Sequence, residues 1–315
     1  MSGNLIDLRK RIKAVKNTQK ITKAMKTVSA AKLRRSANEL KKNDAHSKKF
    51  ESILNIVYSA VRRSIQHPLF IKKDKGIRLI LVISADKGLC GAFNSHIVKK
   101  AESFYKELTT KTEDKEPEEV MFFVVGNKAY RHLLKRNYPI LRNFSSVMAR
   151  FTGRDSSKIA NELIALYTND KEFFENHKQI KVSEWKDVKQ IDVIFTEFES
   201  SSRQNVSIKT LFPIDKDTLV EEKEEKSEPV EFIFEPTPDE IFKELIPQYL
   251  KTRIYNLFLN SLASEHAARM IAMDLATRNA SDMIKSLTLT MNKLRQASIT
   301  KELLEIITAT EALKK

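Results

Sequence analysis

The sequence predicts an α/β chain in which the N- and C-terminal helices form a long antiparallel coiled coil and the middle folds around a parallel sheet. Three observations carry this reading: two terminal stretches without glycine or proline, apolar residues in both at spacings of three and four, and short β-branched runs between them.

Between Gly3 and Pro68 there is neither glycine nor proline, and Leu5, Leu8, Ile12, Val15, Thr18, Ile21, Met25 and Val28 mark one helical stripe. The last 68 residues, Gln248 to Lys315, also lack both breakers. As one helix they would reach roughly 100 Å at about 1.5 Å per residue. Ala280, Ile284, Leu287, Met291 and Leu294 step along it, and Ile299, Leu303, Ile306, Thr310 and Leu313 resume after a five-residue stutter. A helix of that length cannot bury its stripe alone. Each end is therefore expected to cover the other, with Leu8 to Val28 lying against Ile284 to Ile306 in the opposite chain direction.

The middle changes character. Ile77 to Ser84, Val120 to Val125 and Ile191 to Phe195 are of strand length and rich in β-branched and aromatic residues. Helical stretches lie at Phe93 to Leu108, Asn127 to Asn137 and Ser156 to Tyr167. Strand alternating with helix implies a Rossmann-like parallel-sheet domain. The expected division is 1–67 for the first long helix, 68–240 for the α/β domain and 241–315 for the last helix. Within the domain, Glu221 to Glu228 is a charged insert without apolar residues. With Pro229, Pro236, Pro238 and Pro247 after it, it reads as an exposed connection.

Composition excludes several classes. A single cysteine, Cys90, rules out an intramolecular disulfide and fits a reducing compartment. No apolar run approaches the length of a membrane span. The N-terminus lacks the apolar core of a signal peptide, and Asp7 argues against a transit peptide. The net charge of +15 is concentrated at the start: residues 1–67 hold 17 Lys or Arg against 4 Asp or Glu. Such a helix fits nucleic acid or an acidic protein partner. Its basic residues surround the helix without interleaved aromatics, which weakens base stacking.

Ser84 to Asn94, SADKGLCGAFN, ends the first strand and opens a helix. Backbone amides at such a turn can hold an anion. The spacing satisfies neither GxGxxG nor GxxxxGK[ST], so a structural turn is favoured over a ligand cradle. Asp86 and Cys90 have no histidine partner marked by the sequence, and the six histidines lack metal-ligand spacing. No catalytic residue, metal site or cofactor is expected.

Four segments carry a resemblance: LRKRIKAVKNTQKITKAMKTVSAAKLRR from Leu8, SADKGLCGAFN from Ser84, SEHAARMIAMDLATRNASDMI from Ser264 and NKLRQASITKELLEI from Asn292. In order and position they resemble the signature segments of the gamma subunit of F-type ATP synthase. The resemblance implies a non-catalytic rotor: a coiled-coil shaft turning inside three alpha and three beta subunits, with the α/β domain toward the membrane rotor ring, the c-ring, and the epsilon subunit. It implies coupling of ion-driven rotation to ATP synthesis or hydrolysis at the beta subunits. The site would be peripheral to the membrane, on the cytoplasmic face of the bacterial inner membrane. By residue, Arg269, Gln296, Thr300 and Glu302 match family positions that meet the beta subunits. Lys20, Lys23 and Met25 match those passing the acidic lever of beta, and Phe198, Ser202 and Gln204 match the foot at the rotor ring and epsilon. After ITKELLEI the family usually places glycine and alanine. This chain has Ile307, Thr308, Ala309 and Thr310, so its helix is expected to run further. The alternatives are a nucleic-acid-binding coiled-coil arm, resting on the basic helix, and a nucleotide-dependent enzyme, resting on SADKGLCG.

Overall fold

The structure, a computed structural model, describes residues 2–61, 67–111, 116–177, 187–215 and 232–313. The charged stretch Glu221 to Glu228 lies outside the described residues. In order the elements are α1 (Ser2–Val61), β1 (Ile77–Ile83), α2 (Phe93–Thr109), β2 (Val120–Val125), α3 (Asn127–Lys135), β3 (Ile140–Phe144), α4 (Gly153–Thr168), α5 (Lys171–His177), β4 (Val188–Phe198), β5 (Gln204–Phe212) and α6 (Pro238–Leu313). The chain divides into two compact units, Lys32–Ala268 and the pair of segments Met1–Ala31 and Arg269–Lys315.

The first unit is built on a five-stranded sheet in the order β3-β2-β1-β4-β5. The β3-β2-β1-β4 block is parallel, as the strand and helix alternation requires, and β5 returns antiparallel beside β4. Alternation along the strands sends side chains into two cores. Ile80, Val82, Phe122, Val124 and Ile194 face α2 and α3 through Ile97, Ala101 and Leu133. Leu79, Leu81, Phe123, Val193 and Phe195 face α4 and the adjoining stretches of α1 and α6, through Leu163, Leu54, Leu250 and Phe258. Both faces are covered, which is why the central strands read as continuous apolar runs. The buried Asp192 is matched by Arg78 Nε at 2.6 Å, Thr210 Oγ1 at 2.8 Å and Gln190 Nε2 at 2.9 Å.

The helix α6 begins ten residues before the glycine- and proline-free run. Thr237 caps it: Glu240 N–H donates to Thr237 Oγ1 at 3.4 Å, and Thr237 N–H donates back to the Glu240 carboxylate at 3.4 Å. Pro238 occupies the first helical position, where its missing N–H costs nothing. Pro238 and Pro247 are thus part of the helix rather than of the exposed connection, and Pro247 forgoes one internal hydrogen bond.

In the second unit the two terminal stretches run antiparallel, as expected. Lys26 Nζ meets Asp274 Oδ1 at 2.6 Å and Thr277 Oγ1 donates to Thr22 Oγ1 at 2.8 Å, so a forward step on α1 is a backward step on α6. The register differs from expectation. Carried along at the same step, residues 8–28 lie against about 272–292 rather than 284–306. The seam on α1 is also different after Val15. A strict alternation of three and four residues continues from Leu5, Leu8, Ile12 and Val15 to Gln19, Thr22, Lys26 and Ser29, while Thr18, Ile21 and Val28 are exposed.

Candidate functional site

The turn Ser84–Asn94 is consumed by the fold. Asp86 Oδ1 accepts the backbone N–H of Asn127 at 3.0 Å and of Ser146 at 2.9 Å, and Oδ2 accepts that of Ala149 at 2.9 Å. A carboxylate of the chain itself therefore sits at the start of α3, where an anionic ligand would otherwise find free amides. Asn94 Oδ1 accepts the Ala85 N–H at 3.0 Å and Asn94 Nδ2 points to Cys90 Sγ at 3.1 Å, holding the buried thiol in place. Gly126 closes the arrangement at φ +99°, and a Cβ there would fall 2.0 Å from the Ser84 carbonyl oxygen. Asp86, Cys90 and Asn94 are thus used by the fold itself.

The foot candidates form one feature, the tip of the β4–β5 hairpin. Phe198 and Gln204 are opposite partners at its closing rung, and Ser202 lies in the exposed turn. The turn is internally bonded: Ser200 N–H donates to the Arg203 carbonyl at 3.2 Å, Arg203 N–H to Ser200 Oγ at 3.1 Å and Gln204 Nε2 to the Ser201 carbonyl at 3.1 Å. Phe198 N–H donates away from the hairpin, to Asn260 Oδ1 at 3.2 Å.

The coil candidates are not brought into one cluster. Lys20 and Lys23 are exposed on α1, Met25 is half-buried, and Arg269 is half-buried at the start of the second unit's stretch of α6. Gln296, Thr300 and Glu302 are exposed further along α6. Thr300 Oγ1 donates to the Gln296 carbonyl at 3.0 Å and Ser298 Oγ to Glu302 Oε1 at 3.3 Å, both bonds lying within their own helix. The register places the start of α1 opposite about residue 298, and beyond it α6 has no partner helix among the described residues. Leu303, Leu304, Ile306 and Ile307 are each more than half exposed there. The helix does run on through Ile307, Thr308, Ala309 and Thr310, where the family usually places glycine and alanine.

Sequence reasoning missed the polar seam. Lys26 and Arg278, the latter at 2.8 Å, hold the Asp274 carboxyl below the usual carboxylate range, chiefly through the hydrogen bond from Lys26. The signal was the unbroken heptad, which selects Thr22 and Lys26 over their apolar neighbours. No helix among the described residues is long and apolar enough to cross a membrane.

Residues 4–313 match the family described as ATP synthase. The chain is 37% identical over 312 residues to the ATP synthase gamma chain of Geotalea daltonii, covering 99% of each. It is 36% identical over 316 residues to that of Bdellovibrio bacteriovorus, again covering 99% of each. Among solved structures, the fold matches a chain of the Euglena gracilis mitochondrial ATP synthase OSCP/F1/c-ring assembly in rotational state 3. The TM-score is 0.62 with 18% identity, over 99% of this chain and 95% of that one. A chain of the rotor from the same source in rotational state 1 gives a TM-score of 0.60 with 16% identity, over 95% of this chain and 100% of that one. Nothing in these likenesses supports a nucleic-acid-binding arm. With full-length coverage on both sides and identity above a third, this chain belongs to the ATP synthase gamma chain family.

Proposed function

We propose that the chain is the central-stalk rotor subunit of an F-type ATP synthase, coupling ion-driven rotation of a membrane ring to ATP synthesis or hydrolysis on other subunits. The observation that carries the reading is the far end of α6, where an apolar stripe continues past its antiparallel partner and stands exposed among the described residues. A helix left in that state requires a sleeve, and the three alpha and three beta subunits supply one in this reading. The subunit is itself non-catalytic. It sits peripherally at the cytoplasmic face of the bacterial inner membrane, with epsilon and the c-ring at the β4–β5 hairpin. Functionally, 1–67 and 241–315 serve as the shaft and 68–240 as the domain that receives the drive.

A rotor is useful only if its angle changes the energies of the catalytic sites. Hydrogen bonds to charged partners contribute about 1.5–3 kcal/mol and depend sharply on geometry, whereas apolar contacts slide. Arg269, Gln296, Thr300 and Glu302, with Lys20, Lys23 and Met25 on the opposing helix, are the coupling positions in this reading. Assembled with its partner subunits in vesicles, Arg269→Ala or Glu302→Ala should leave the complex intact while lowering the ions pumped per ATP. Parental rate and ratio in both variants would remove these residues from the coupling surface. Failure of the parent chain to bring down ATP synthase subunits from a gentle membrane extract would overturn the assignment as a stalk.

A further inference from the structure

The strand β4 is longer than its neighbour. It runs to Phe198, whereas its last paired residue on the β1 side is Ile194, opposite Val82. On the other side β5 stays with it to the tip, Phe198 opposite Gln204. The protruding end of β4 therefore has a row of backbone groups with no strand to receive them on the β1 side. Buried groups of that kind must find partners.

Three of these groups are met by side chains of α6. Thr196 N–H donates to Ser261 Oγ at 3.3 Å, Ser264 Oγ donates to the Thr196 carbonyl at 3.4 Å, and Phe198 N–H donates to Asn260 Oδ1 at 3.2 Å. Ser261 and Ser264 are completely buried. The connection continues: Asn260 Nδ2 donates to Asn256 Oδ1 at 2.7 Å, and Asn256 Nδ2 to Asp44 Oδ1 of α1 at 2.5 Å. The hairpin is thus tied by directional bonds to both long helices.

We propose that Asn260, Ser261 and Ser264 are positioning residues that form a mechanical joint, transmitting load from the β4–β5 hairpin to the long helices. This rests on the stalk reading above. Load applied at the hairpin tip bends a protruding strand, and apolar packing alone lets it slide. Hydrogen bonds from α6 to the strand backbone resist that shear, because displacement leaves buried amides unpaired. The joint needs small hydroxyls, since they bring the helix close enough to reach the strand's own backbone.

The test assembles the full chain with its partner subunits in vesicles and compares the parent with Asn260→Leu/Ser261→Ala/Ser264→Ala. In the variant, amide exchange at Thr196 and Phe198 should quicken about tenfold, as the loss of a single hydrogen bond would give, with protection in β1 and β2 retained. Ions pumped per ATP should fall to half or less while the complex stays assembled. Asn260→Asp keeps the acceptor for Phe198 while losing the donor to Asn256, so it should restore slow exchange at Phe198 relative to Asn260→Leu. A variant with fast exchange and parental pumping ratio refutes the joint, as does unchanged exchange at Thr196 and Phe198. If the triple variant loses protection throughout the sheet, Asn260→Leu alone gives the same decision at Phe198. A parent chain that assembles into no ion pump defeats the stalk reading instead.

Discussion

The two units differ in how they are held together. In Lys32–Ala268 the strands are sandwiched, and Ile80, Leu81, Phe122, Phe123 and Ile194 are completely buried. In the coil unit only Ile12, Thr22, Ser29, Met273 and Ala280 are buried among the described residues, and each keeps a few per cent of its surface. Two helices side by side can cover one stripe each, so Ile21, Val28, Leu275 and Leu289 face outward. The α/β unit buries its apolar faces within itself, whereas the coil leaves part of its apolar surface exposed.

The largest effect should separate the units directly. Phe122 stacks on Tyr105 at a centroid distance of 5.4 Å and meets Tyr138 edge-on at 5.7 Å. Phe122→Ala should cost about 3–5 kcal/mol in urea unfolding of the isolated chain. Leu303→Ala, at an exposed position of α6, should change that measurement by less than about 0.5 kcal/mol. Its cost should appear only in the yield of the assembled complex. Equal losses in the isolated chain would break the comparison.

A smaller effect is expected at Tyr167, whose ring is buried against Phe212 and whose hydroxyl donates to the Ile71 carbonyl at 2.6 Å. Burial pushes this phenol up to about 12. Tyr167→Phe keeps the packing and leaves that carbonyl without its donor, so it should cost about 1 kcal/mol. The matching change in the coil is Thr22→Val, which removes the acceptor for Thr277. The single Thr277 hydroxyl proton can turn instead to the Met273 carbonyl, 2.7 Å away, so the loss there should be below about 1 kcal/mol. Adding Thr277→Val should recover part of it while loosening the register, read as a broader thermal transition. A full additive loss would mean that the pair stabilises rather than specifies.

The parts legible in the sequence were those where one physical effect dominates. The runs IRLILVI and VMFFVV are buried on both faces, so nothing dilutes their apolar character. The strand β3, ILRNF, is half-buried along its whole length, and β5, QNVSIKTLF, is an edge strand with polar residues alternating outward; neither has a continuous apolar signal. That left the antiparallel return unseen and the hairpin visible only through a family likeness. The start of α6 was signalled by Thr237, Pro238 and Glu240, but the prolines were weighed as breakers. In the coil, following apolar residues to Ile21 and Val28 left the heptad; supercoil geometry overrides residue type, and the displaced polar residues pair across the seam. Asp86 and Asn260 act on backbone groups, and backbone partners leave no spacing pattern in a sequence.

The smallest expected effect concerns acid. The Lys26–Asp274 pair lies at the surface of the coil, with 44% and 28% of the two side chains exposed. Asp274 has a folded-state value below its unfolded one, so it binds protons more weakly in the folded coil than in the unfolded chain. The stability it contributes is therefore present above the ordinary carboxylate range, near pH 4, and is lost as pH falls through the lowered folded value. Asp274→Asn removes the titration while keeping the shape. Thermal unfolding of parent and variant should differ slightly at pH 6 and converge once acid has protonated Asp274 in the folded coil as well. The difference at pH 6 should also shrink in high salt, as exposed pairs do. A gap that widens with acid would mean that Asp274 is held protonated in the fold. A gap that ignores both acid and salt would mean that the carboxylate acts through its shape alone, and the polar seam would then owe its register to Thr22 and Thr277.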